Sequence, residues 1–88
     1  MSVIRCNNIN YRKGYIEIEP EIHKGYVNLE VTQIHPDVDI ADTRLGDGKL
    51  SDEAFIGNTE IELNLEEAKN LIELLKNAID KTEVGSPN

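Results

Sequence analysis

The sequence predicts an α+β domain, a small antiparallel sheet of roughly three to five strands packed by one C-terminal α-helix at about residues 65–82. Three observations predict it. Segments near 15–19, 26–34 and 59–63 alternate polar and apolar residues, the period of a half-buried strand. From Leu65 onward the apolar residues instead recur every three or four positions, which is one face of a helix. Between the first two strand segments lies only a short run with Pro20 and Gly25, which suits a hairpin and is too short for a crossover.

Taken in order, Ser2 to Cys6 is expected as a first strand, with Asn7-Asn8 as a turn or edge irregularity. In Tyr15-Ile-Glu-Ile-Glu, Ile16 and Ile18 point one way and Glu17 and Glu19 the other. The loop Pro20–Gly25 follows, and then a strand with Val27, Leu29 and Val31 on one face. His35-Pro36 ends that strand, because proline removes a backbone donor and pushes its predecessor toward extended conformations. Residues 35–58 are irregular. Asp47-Gly48 signals a tight turn, so a small second hairpin through Thr43–Leu45 and Lys49–Ser51 competes with an ordered loop carrying one helical turn at 51–54. The loop is preferred, since a segment of this length in a compact domain is usually functional.

Thr59-Glu-Ile-Glu-Leu is the last strand, with Glu60 and Glu62 opposite Ile61 and Leu63. The helix starts at once. Asn64 and Glu67 stand at the spacing of a capping box, and Glu66 and Glu67 favour the positive end of the helix dipole. Leu65, Ala68, Leu71, Ile72, Leu75, Ala78 and Ile79 make its apolar stripe, widened by Leu74. With almost no loop between strand and helix, the helix is expected to fold back over the sheet. Residues 1–84 then form a single domain and 85–88 a flexible tail.

The 88 residues permit only a thin core of Ile, Leu and Val, with no Trp. A folded chain of this length has a radius of gyration of roughly 12 Å, and cores this small commonly gain support from a partner subunit, so a homo-oligomer is expected. The net charge is −8. Residues 1–15 hold Arg5, Arg12, Lys13 and no acid; residues 16–88 hold all 17 acids against six bases, a balance of −11. That field repels duplex nucleic acid and anionic membranes and attracts a basic protein. No apolar stretch approaches the roughly 20 residues of a transmembrane helix. The first residues show no signal-peptide pattern, and the single cysteine allows no internal disulfide, so a cytoplasmic location is expected.

Catalytic signatures are missing. There is no nucleophile elbow, glycine-rich phosphate loop or H-E-x-x-H. Cys6, His23 and His35 show none of the close spacings of zinc ligands, and no cofactor or metal is expected. The acids at 37–53 fail an EF-hand register started at Asp37, which meets Ala41, Asp42 and Gly48 at positions five, six and twelve.

Two functional expectations result. The first is a small, non-catalytic interaction or inhibitor module that binds a basic protein partner through an acidic surface, of nucleic-acid-mimic type, using Glu17, Glu19, Glu60, Glu62, Asp37, Asp39 and Asp42. Glu30 shares that face if the strands are neighbours. The second is an oligomeric binder of a nucleotide or other anion around Arg5, Tyr11, Arg12, Lys13 and Tyr15, where aromatic faces would stack a base and cations hold a phosphate.

Overall fold

The computed structural model describes residues 2–85. It contains strands β1 (Ser2–Cys6), β2 (Lys13–Pro20), β3 (Tyr26–Ile34) and β4 (Phe55–Asn64), a 3-10 turn at Asp52–Ala54 and helix α1 (Leu65–Gly85). The four strands form one antiparallel meander in the order β1-β2-β3-β4, against which the C-terminal helix packs. The expected α+β class is what the chain adopts.

Local chemistry explains each boundary. The β2–β3 hairpin closes with Glu21 N–H donating to Tyr26 O and Tyr26 N–H to His23 O, both at 3.0 Å. It places Glu21 at φ 53° and Gly25 at φ 85°, the left-handed region that glycine enters without penalty. At the other end of β2, Gly14 lies so close to β3 that a Cβ there would fall 1.9 Å from Thr32 O. The helix begins with the expected capping box: Glu67 N–H donates to Asn64 Oδ1 (2.8 Å) and Asn64 N–H to Glu67 Oε1 (2.9 Å). It runs to Gly85, 21 residues in all, which corresponds to about 31 Å. Residues 86–88 of the expected tail lie outside the described residues.

Strand register sorts the side chains. One sheet face carries the rows Ile4–Ile16–Val31–Thr59, Ser2–Ile18–Leu29–Ile61 and Pro20–Val27–Leu63. The opposite face carries Tyr15–Thr32–Asn58, Glu17–Glu30–Glu60 and Glu19–Asn28–Glu62. A register shift at Gln33/Ile34 leaves Ile56 as the extra residue of a bulge at the start of β4. The alternation that marks the strand is therefore interrupted here, which is why β4 begins four residues earlier than the expected Thr59.

The core is not where the aliphatic pattern puts it. Tyr15, Ile34 and Ile40 are fully buried on the polar side of the sheet, with Val38, Leu45 and Leu50 packed around them. Their cover is the segment 35–54, an ordered loop and not a second hairpin. His35 N–H donates to Ala54 O (2.8 Å) across its base, and turns at 40–43 and 44–47 fold it inward. Asp47 stabilises this course by accepting from the amides of Arg44 (2.8 Å) and Lys49 (3.0 Å). Buried Lys13 anchors it, its Nζ donating to Asn10 Oδ1 (3.1 Å) and Pro36 O (3.0 Å).

The helix meets β4 and β3 through its first turns, where Ala68 and Leu71 are half-buried; beyond them Ile72, Leu74, Leu75 and Ile79 are exposed. The expected fold-back over the sheet does not extend along the helix. Asn64 ends the strand and Leu65 starts the helix, so no connecting residues exist in which the chain could reverse. The radius of gyration is accordingly 15.1 Å, above that of a compact chain of this length.

Candidate protein-binding face

The acidic face is built by register. Glu17, Glu30 and Glu60 stand directly opposite one another on β2, β3 and β4, and Glu19 and Glu62 flank Asn28 one row along. Neighbouring strands lie about 4.8 Å apart, so three carboxylates form a row across the sheet. Like charges in directly opposed positions repel. Burial, and then the charges of Glu30, Glu19 and Glu60, raise the Glu17 carboxyl above its ordinary 4.5.

Two asparagines and a histidine hold Glu30, Glu60 and Glu62 in place. Asn58 Nδ2 donates to Glu30 Oε2 (2.8 Å) and to Thr32 Oγ1 (3.0 Å). Asn28 Nδ2 donates to Glu60 Oε2 (3.2 Å), and His23 Nδ1 to Glu62 Oε1 (2.6 Å). Among the described residues, no Lys or Arg lies within 4 Å of Glu17, Glu19, Glu30 or Glu60. The face is thus fixed in geometry but not neutralised.

Beside the row lies an open groove of about 580 Å³, bordered by Glu17, Glu30, Thr32, Leu45, Phe55 and Asn58. Leu45 comes from the 35–54 segment and Phe55 from the bulged start of β4. Carboxylates on one wall and apolar surface on the other suit a side chain with an apolar stem and a cationic head. Periodicity within β2 and within β4 pointed to Glu17, Glu19, Glu60 and Glu62, and the structure brings all four together with Glu30. Asn28, Asn58, Leu45 and Phe55 were missed. Asn28 carried a signal, standing two residues before Glu30 on the same strand face; Asn58 and Phe55 were hidden by the bulge.

The three aspartates play a different part. Asp39 Oδ1 accepts from Ala41 N–H (2.9 Å), which chiefly lowers its carboxyl below the ordinary 3.8. Asp37 and Asp42 are exposed on the same segment. Asp37 N–H donates to His35 Nδ1 (3.0 Å).

The basic cluster is divided by the fold. Tyr15 turns its ring into the core, its hydroxyl 2.9 Å from Thr43 Oγ1 and 3.2 Å from Thr43 O. Lys13 is buried and its Nζ donates to Asn10 Oδ1 and Pro36 O, and Arg5 Nη1 donates to Thr43 O (3.1 Å). Tyr11 and Arg12 remain exposed. The hollow beside Arg12, Lys13 and Tyr15 holds about 200 Å³, below the roughly 300–1,000 Å³ of typical ligand sites, and a separate one of about 370 Å³ is bordered by Arg5, Tyr15 and Arg44. Cys6 lies on the aliphatic sheet face, His35 follows β3 at the same end, and His23 sits in the hairpin at the opposite end. No trio of His, Cys, Asp or Glu suited to a metal occurs among the described residues. No described helix is long and apolar enough to cross a membrane.

No protein-family model, curated protein or solved structure matches this chain.

Proposed function

We propose that this protein is a non-catalytic binding module that captures a basic protein segment on the acidic face of its sheet. The observation that carries the reading is the row Glu17–Glu30–Glu60, three carboxylates side by side, of which Asn58 holds Glu30 and Asn28 holds Glu60, matched by no Lys or Arg among the described residues. Opposed like charges cost stability in the free protein, and a cation laid across them removes that cost. The groove between this row and Leu45 and Phe55 favours arginine over lysine, because a guanidinium can take two carboxylates in a fork while its plane lies against an aromatic ring. The aspartates of the 35–54 segment extend the negative field and steer the approach of the partner.

The test is calorimetric titration with an arginine-rich peptide, a lysine-rich peptide and a glutamate-rich control over a salt series. The arginine peptide binds most tightly, the control does not bind, and affinity falls as salt rises. Changing Glu17, Glu19, Glu60 and Glu62 together to Lys abolishes the interaction. Affinity indifferent to salt and to that reversal refutes the proposal.

A further inference from the structure

The sheet face opposite the carboxylates has no charged side chain at any paired position, from Ser2, Ile4 and Cys6 on β1 to Gly57, Thr59, Ile61 and Leu63 on β4. In a chain of net charge −8 such a face is conspicuous. It is also bare: Ile4, Val31 and Ile61 are all exposed, at 57, 43 and 51 %. The helix stripe is equally bare, with Ile72, Leu75 and Ile79 at 51, 54 and 54 %. Within one chain the helix meets the sheet only through its first turns, and these residues stay uncovered.

We propose that a second copy of this chain covers both surfaces, forming a two-fold homodimer in which the apolar sheet face and helix stripe of each protomer pack on those of its partner. Area supports this occupant. A folded chain of 9.9 kDa exposes about 5,200 Å², whereas this one exposes 6959 Å². The excess of about 1,750 Å² exceeds the roughly 800 Å² that each partner of a standard interface buries. Symmetry supports it too. A two-fold interface must be self-complementary, and each protomer carries the same pair of apolar surfaces, one flat and one ridged. Charge supports it as well, because mating through the uncharged faces holds both carboxylate rows on the outside, as far apart as the sheets allow. Finally, an isolated helix gains most of its stability from packing its apolar face, and here only Ala68 and Leu71 begin to do so within the chain.

Sedimentation velocity on the full chain, from about 1 to 100 µM, tests this, because assembly by mass action depends on concentration. The expected species has twice the 9.9 kDa chain mass. Val31→Glu on the sheet and Leu75→Glu on the helix, both at exposed positions, weaken self-association by about thirtyfold or more, the scale of a central interface residue, with the circular dichroism of the wild type retained. Should either variant fail to fold, hydrogen exchange of the wild type decides. Protection of amides 72–79 that rises with concentration supports the dimer; protection independent of concentration overturns it. A monomer at about 100 µM overturns it as well. So does a monomer that binds phosphatidylcholine vesicles, which would give the face to lipid, and so does a dimer that both variants leave intact.

Discussion

Glu17→Gln tests the central claim that the acidic row is a standing cost to the fold. The substitution keeps the shape of the side chain and removes one charge. Glu17 makes no side-chain hydrogen bond among those described, so nothing is lost with its charge. It stands directly opposite Glu30, and one opposed like-charge pair destabilises by roughly 0.2–1 kcal/mol. Partial burial adds to that. A gain of about 0.5–1 kcal/mol is expected at pH 7, which for a domain of this size raises Tm by about 2–8 °C. The sign also fixes the pH dependence. The folded-state pKa of Glu17 is raised above its ordinary 4.5. The fold is therefore least burdened below 4.5, where Glu17 is protonated folded or unfolded, and it loses stability as pH rises through the raised value. Thermal melts of both proteins at neutral and acidic pH, in low and high salt, follow directly. The advantage of the variant should vanish below the ordinary carboxylate range and shrink in high salt. A variant no more stable than wild type at pH 7, or equally advantaged at both pH values, refutes the reasoning. Its affinity for an arginine-rich peptide should fall even as its stability rises.

Gly14→Ala should prevent folding or cost upward of about 3 kcal/mol in urea unfolding, because the new Cβ would sit 1.9 Å from the backbone oxygen of Thr32 and only a backbone shift relieves that. Tyr15→Phe removes the hydroxyl that reaches Thr43 Oγ1 and O; a loss of about 1–1.5 kcal/mol is expected, measured by the same unfolding. Asn64→Ala deletes one half of the capping box and should cost about 1 kcal/mol, with reduced helical ellipticity. The carboxyls of Asp39 and Asp47 lie below the ordinary 3.8, held there chiefly by the amides of Ala41 and of Arg44 and Lys49. Their contribution is present above 3.8 and is lost as pH falls through the lowered values. The amide proton shifts of Ala41, Arg44 and Lys49 should therefore titrate with midpoints under 3.8, and midpoints above it would contradict the turn geometry.

The candidate site was legible wherever one strand carried it. Glu17 and Glu19, and Glu60 and Glu62, declare their shared face by a period of two, which any strand of either register would keep. That Glu17 faces Glu30, and not Asn28 or Thr32, and that Glu30 in turn faces Glu60, depends on cross-strand register, and register is set by the hairpin at 21–25 and the bulge at Ile56. The basic cluster shows the reverse. Tyr11, Lys13 and Tyr15 are close in sequence, yet β2 begins at Lys13 and sends Lys13 and Tyr15 under the 35–54 segment while Tyr11 stays outside.

By itself, the sequence determined the four strands, the capped helix and the separation of acids from aliphatics, because these depend on side-chain period and on hydrogen bonds within a few residues. The tertiary structure alone decided where the core lies. The aliphatic strand face and the helix stripe look like partners, but the direct junction at Asn64–Leu65 carries the helix away after its first turns, and the irregular 35–54 segment buries Ile40 against Tyr15 and Ile34 instead. Apolar pattern records that a surface avoids water; which surface covers it is fixed by chain connectivity and packing.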